Sequence, residues 1–132
     1  MVNFQHTHTW KTVIIFLEDK AKKNNDYTSI RNLTIFNLVF HSGISTNELS
    51  SVNSDDFSIV GDTYKLTVRK PDFRQVQINQ SDAMLIVELI KLRQFFGPED
   101  NALFISMKNK KRLSRRSIGY LINKFCEDAS VP

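Results

Sequence analysis

At 132 residues, 41% hydrophobic and 24% charged, the chain has the composition of one globular domain with a real core, which excludes a disordered protein. One cysteine, Cys126, excludes an intrachain disulfide and fits a reducing, cytoplasmic setting, with a packed thiol as its expected role. The net charge of +4 is uneven: residues 1–60 carry five basic and six acidic side chains, 61–100 six and six, and 101–132 seven and two.

That excess in the last quarter points to a polyanion partner approached by one end of the molecule, nucleic acid first, with a solvated helix end as the plain alternative. The longest apolar run, Val13 to Leu17, falls far short of the ~20 residues a membrane crossing needs. No membrane partner is expected.

In chain order, Trp10, Val13, Ile14, Leu17 and Ala21 recur with the helical period and predict a first helix from about Trp10 to Lys23. A second, Thr28 to Phe40, carries Ile30, Leu33, Phe36 or Ile35, Leu38, Val39 and Phe40, apolar on so many sides near its end that it is expected to be the central core helix. Gly43 should end it in a left-handed conformation. Ser45 and Glu48 have the S-x-x-E spacing of a capping box, which starts a short third helix to about Val52. The period then changes to two: "FSIV", "TYKLTV" and "RQVQI", separated by the turns "GD" and "RKPDF", predict a three-stranded antiparallel meander. Ser81 is expected to cap a long helix with Leu85, Ile86, Leu89, Ile90, Leu92 and Phe96 on its apolar face, closed by "GPED". "ALFIS" reads as a short extended piece. After a basic turn, Ser114 should cap a last helix with Ile118, Leu121, Ile122 and Phe125 inward. The fold class is therefore mainly α with a small three-stranded antiparallel sheet, in one domain.

Chemistry is sparse. His6 and His8, at i and i+2, do not share a helical face and no carboxylate or thiol converges on them, so no metal is expected. His41, after an apolar helix end, reads as a helix C-terminal partner or surface residue rather than a general base. Four scattered glycines form no phosphate-cradling loop, so no nucleotide is expected and no cofactor is implied. The positive signal is "KNKKRLSRRS", where Lys108, Lys110, Lys111, Arg112, Arg115 and Arg116 flank a helix N-terminus without an acid among them. A second group, Arg69, Lys70 and Arg74, marks a β-turn that either reaches toward phosphate or keeps an edge hairpin soluble.

The order of elements together with three motifs resembles the catalytic domain of tyrosine recombinases, the phage integrase family. "RNLTIFNLVFHSGISTNELSSVNSDDFSI" is similar to the family's box I region, "YKLTVRKPDFRQVQIN" to its lysine-bearing β-hairpin, and "NALFISMKNKKRLSRRSIGYLINKFCEDASVP" to the A-L-F-x-S segment and helix before its second catalytic box. A winged-helix regulator is the main competitor, and it leaves the long helix and the basic last helix unexplained. The resemblance implies a parent activity of DNA breakage and rejoining, integration or recombination, through a tyrosine nucleophile without metal or nucleotide. Its implied partners are double-stranded DNA, held by its phosphate backbone, and other recombinase protomers.

Carried over by position, the box I arginine falls on Ser45 and the box I glutamate on Glu48. The hairpin lysine falls on Lys70, or on Arg69 if the turn is shifted by one residue. Phosphate contacts are assigned to Arg69, Lys70, Arg74, Lys108, Lys110, Lys111, Arg112, Arg115 and Arg116. A serine cannot replace a permanently charged, bidentate guanidinium. With H-x-x-R, the nucleophilic tyrosine and the N-terminal core-binding domain also missing from these residues, the expectation is a truncated, catalytically inactive domain that still holds DNA. A small DNA-binding regulator derived from the same fold, or a protein-interaction module, is the alternative.

Overall fold

The computed structural model describes residues 7–130, and side chains from Trp10 to Ala129. The His6 and His8 pair lies outside the described side chains. Helices α1 (Thr7–Asn24), α2 (Tyr27–Ser42) and α3 (Thr46–Ser51) come first, then a 3₁₀ turn (Ser54–Asp56) and strands β1 (Phe57–Val60), β2 (Thr63–Val68) and β3 (Arg74–Ile78). Helices α4 (Gln80–Gln94) and α5 (Arg115–Ser130) complete the order. The mainly helical fold with a three-stranded antiparallel sheet, ordered β1-β2-β3, is the one expected. None of the described helices is long and apolar enough to cross a membrane.

Helix α2 is the central element, as its apolar pattern implied. Leu33, Ile35, Phe36 and Leu38 are buried, and α1, α4 and α5 all pack against this helix. Asp26 caps it by accepting from the Ser29 amide at 2.9 Å, so it begins one residue earlier than the apolar period indicates. The α1 stripe Val13, Ile14 and Leu17 is buried, while Trp10 and Ala21 pack at its margin. In the sheet, Leu66 and Val68 of β2 lie beside Val76 and Ile78 of β3 on the core face. Gln75 and Gln77 face outward, which is the pleat's period of two at work, while Arg74 lies on the face of Val76 and Ile78 at the exposed start of the strand.

Helix α4 corrects one expectation. Its cap is Asn79, whose side chain accepts from the Asp82 amide at 2.8 Å, and not Ser81, whose hydroxyl donates to Asn79 Oδ1 at 2.9 Å. Both residues are good caps, but only Asn79 has a helical third successor, Asp82, that returns a contact: Asn79 Nδ2 donates to Asp82 Oδ2 at 3.1 Å. Ser114 does cap α5, accepting from the Ser117 amide at 3.1 Å.

The "ALFIS" piece is a buried strap rather than a strand of the sheet, with Ala102, Leu103, Phe104 and Ile105 each 1% exposed or less. Single bridges tie it to Asn53 and to Arg112. Two side chains from the start of α2 hold its backbone. The Tyr27 hydroxyl donates to the Leu103 carbonyl at 2.9 Å and accepts from the Ile105 amide at 3.0 Å, and Arg31 Nη1 donates to the Ile105 carbonyl at 2.9 Å. Buried backbone groups without a neighbouring strand need such partners, and the strap in turn carries the basic segment that follows it. Burial raises the Tyr27 hydroxyl above its ordinary pKa and lowers that of the Arg31 guanidinium.

Candidate functional site

The joint between α2 and α3 is built by local rules. Gly43 has φ 67°, a left-handed conformation that glycine enters without a Cβ penalty, and its amide closes α2 on the Leu38 carbonyl. Ser45 Oγ accepts from the Glu48 amide at 3.1 Å, and Glu48 Oε1 accepts from the Ser45 amide at 3.0 Å. The capping box is complete.

An arginine then enters from the hairpin. Arg74 Nε donates to Glu48 Oε2 at 2.7 Å and its Nη2 to Glu48 Oε1 at 2.9 Å, a bidentate pair, with a longer 3.3 Å contact to the Gly43 carbonyl. The guanidinium hydrogen bonds, then the Ser45 amide, hold the Glu48 carboxyl at about 2, against an ordinary 4.5. Arg74, assigned to phosphate contact from its sequence position, thus spends its donors on the box I corner.

This ion pair makes a pH prediction. The folded-state pKa of Glu48 is depressed, so the pair's contribution is complete above pH 4.5 and is lost as pH falls toward about 2. Because Arg74 is 44% exposed, the contribution is modest, about 1 kcal/mol after solvent screening. Glu48→Gln should show that loss at pH 6 and a flatter stability profile between pH 5 and pH 2.5, measured as urea midpoints with pH controlled (~1 kcal/mol steps resolve well).

Beside the joint lies a polar cleft of about 420 Å³, lined by Asn47, Ser50, Ser51, Asn53, Arg69, Lys70 and Arg112. It gathers α3, the β2–β3 turn and the segment after the strap, and no carboxylate lines it. The three cations differ in freedom. Arg69 is 56% exposed and donates from Nε to the buried Asp56 at 2.9 Å. Lys70 is exposed, and its backbone carbonyl receives the Ser51 hydroxyl at 3.5 Å. Arg112 is held by four acceptors. Its Nη1 donates to the Ser50 and Val52 carbonyls at 3.0 and 3.2 Å, and its Nη2 donates to Asn53 Oδ1 and to Asp100 Oδ1, the latter at 3.1 Å.

The basic segment separates in the same way. Lys110 donates to the Met107 carbonyl at 2.9 Å and lies 5.1 Å over the Phe96 ring. Lys108, Lys111, Arg115 and Arg116 are exposed, and Arg115 and Arg116 open α5 directly after its Ser114 cap. Lys108 and Arg116 border a second, more apolar groove with Arg31 and Tyr120. The nine assigned cations therefore form no single patch: Arg69, Lys70 and Arg112 share one cleft, Lys108 and Arg116 another, and Arg74 sits on the helix joint.

Sequence reasoning missed the aspartates that organise the site, Asp56 on Arg69, Asp100 on Arg112 and Asp82 on His41. Asp56, Asp82 and Asp100 are invisible as partners because their contacts lie far along the chain. His41 Nδ1 meets Asp82 Oδ2 at 2.9 Å, Asn37 Nδ2 donates to Asp82 Oδ1 at 3.1 Å, and Asp82 is fully buried. His41 thus joins a network tying α2 to the start of α4. The available signal was the N-x-x-D spacing shared by Asn79 with Asp82 and by Asn53 with Asp56.

A capped helix joint packed against a basic hairpin, inside five helices and a three-stranded sheet, defines the class. In sequence and in fold the chain is tyrosine-recombinase-like, and its fold is that of the catalytic domain. The curated relatives include tyrosine recombinase XerC of Proteus mirabilis, 28% identical over 93 residues, which covers 70% of this chain and 30% of that protein. XerC of Caldanaerobacter subterraneus subsp. tengcongensis is 31% identical over 104 residues, 76% of this chain and 28% of the relative. Among solved structures, a XerA recombinase superposes with TM-score 0.76 at 18% identity, over 99% of this chain and 44% of that one. A XerH site-specific recombinase bound to its difH substrate in a pre-cleavage complex gives 0.75 at 14%, over 100% and 38%. No family model matches the sequence. The chain spans about a third of the length of the curated relatives it matches.

Proposed function

We propose that these 132 residues are the DNA-holding part of a recombinase-type catalytic domain, one that grips duplex DNA by its phosphates without cutting it. The parent chemistry is site-specific recombination or integration. The observation that carries the reading is the set of exposed cations, Lys70 in the acid-free cleft between α3 and the hairpin turn, where Arg69 and Arg112 stand beside it tied to Asp56 and Asp100, and Lys108, Lys111, Arg115 and Arg116 around the start of α5. Convergent donors of one sign beside a helix joint are what a phosphodiester requires, and the solved XerH relative is a complex with DNA.

The same corner explains the lack of cleavage. At the position that the resemblance assigns to the box I arginine stands Ser45, whose oxygen is used by the Glu48 amide, and the Arg74 guanidinium on the same capping box is neutralised by Glu48. Removing one preorganised donor from a charged transition state costs about 10²- to 10³-fold in rate. Lys70 is the hairpin cation left for the scissile phosphate, with Arg69 turned toward Asp56. Assembly with further protomers is part of the proposed parent role, as is the absence of a metal or nucleotide requirement.

Incubation with a nicked duplex that traps covalent intermediates tests this directly. The expected result is a retarded complex on a native gel and no covalent protein–DNA band on a denaturing gel, with Ser45→Arg equally inert. A covalent band from the unmodified chain would overturn the reading.

A further inference from the structure

We infer that the groove between the start of α2, the end of the buried strap and the start of α5 is a binding site for a small carboxylic acid with an apolar body, its carboxylate meeting Arg31. The inference goes beyond the DNA-holding reading and does not depend on it, although Lys108 and Arg116 belong to both. The groove has a volume of about 490 Å³, within the range of small-molecule sites, which are mostly apolar with a few convergent polar groups. Met107, Leu113, Leu121 and the Tyr120 ring supply the apolar lining, Lys108 and Arg116 add exposed charge, and no carboxylate lines it. Tyr120 leaves 58% of its surface in water one turn beyond Arg116 on α5, so the mouth of the groove is aromatic and positive. The cleft beside Lys70 has no such apolar lining.

Arg31 gives this groove its need for an anion. It is 6% exposed, yet among the described residues no carboxylate pairs with it. Its Nε and Nη2 both donate to Asn32 Oδ1, at 3.1 and 2.8 Å, and its Nη1 donates to the Ile105 carbonyl at 2.9 Å. The Nε and Nη2 edge is a fork that suits a carboxylate, and here it closes on one neutral amide oxygen. These bonds do not exhaust the donors of a guanidinium. Asp26 acts on Arg31 only through its field, its own carboxylate being taken by Ser29. A buried cation without a counter-charge in contact is costly. An entering carboxylate lowers that cost, while its apolar body leaves water for the Met107 and Leu121 side chains.

Calorimetric titration of the whole chain at neutral pH with 4-phenylbutyrate, beside 4-phenylbutanol and inorganic phosphate, tests the site. The acid should bind about tenfold or more tighter than either control, because the alcohol lacks the charge-assisted bonds and phosphate lacks the apolar body. Arg31→Met should remove the margin over the alcohol. Since Arg31 also holds the Ile105 carbonyl, a second variant decides the matter if that one fails to fold by circular dichroism. Asn32→Asp closes the arginine fork with a carboxylate of the chain's own and should weaken 4-phenylbutyrate by about tenfold in a folded protein. Absence of binding, equal affinity for the alcohol or for phosphate, or an affinity unchanged in Asn32→Asp contradicts the proposal.

Discussion

Arg112→Ala is expected to destabilise the fold by about 2–3 kcal/mol, the largest effect of any single cation in the basic segment. The guanidinium joins four acceptors from three places: the Ser50 and Val52 carbonyls at the end of α3, Asn53, and Asp100 beyond α4. Its removal takes a donor from the Ser50 carbonyl, leaves the Val52 carbonyl with the Leu103 amide, and deprives Asp100 of its ion-pair partner. Asp100 itself also accepts from the Ala102 and Arg112 amides and has a lowered pKa, so its charge persists in the variant. Arg112→Lys should recover less than half of the loss, because one ammonium cannot span the fork. Urea unfolding at neutral pH reads the change as a lower midpoint with an unchanged slope. Because its donors are already engaged within the protein, Arg112→Ala should leave the salt dependence of DNA binding nearly unaltered.

The second large effect is expected when Lys108, Lys111, Arg115 and Arg116 are all replaced by alanine. These four side chains are exposed, and with Lys70 they form the set most able to displace counterions from a duplex. Each phosphate contact contributes about −0.9 to the slope of log affinity against log salt, so removing four should bring the slope to about −1 and weaken binding at low salt by about 100-fold or more. Stability should change little, within about 0.5 kcal/mol, since none of the four belongs to the core. A variant that unfolds, or one that retains the original slope, would show that the cations act within the fold and not on DNA.

The difference between these two variants marks how far the sequence could be read. Lys108, Lys110, Lys111, Arg112, Arg115 and Arg116 look alike along the chain, six cations in nine residues. Folding separates them because Arg112 meets acceptors about sixty positions upstream, and no local pattern encodes that distance. Arg74 gives the same lesson. As a hairpin cation it suggested phosphate, yet its register on β3 brings it to Glu48, a residue whose capping role was fully legible from the S-x-x-E spacing.

Periodicity served well where the period itself carries the information: the α2 core face, the alternation of β2 and β3, and the left-handed turn at Gly43. It failed where two polar residues competed for one cap, Asn79 against Ser81, and where a buried carboxylate such as Asp82 collected partners from α2. The joint His41 to Ser50 is both a sound helix junction and the corner at which the family resemblance places a catalytic arginine. The structure shows that Ser45 satisfies the first role through its hydroxyl, while Arg74 and Glu48 neutralise each other beside it.

Titration of a duplex with the unmodified chain, repeated between about 50 and 200 mM salt, tests the central claim most directly. Five exposed cations, Lys70, Lys108, Lys111, Arg115 and Arg116, predict a slope of about −4.5 and an affinity loss of about 500-fold across that range. A flat line, or no binding at low salt, would contradict the account.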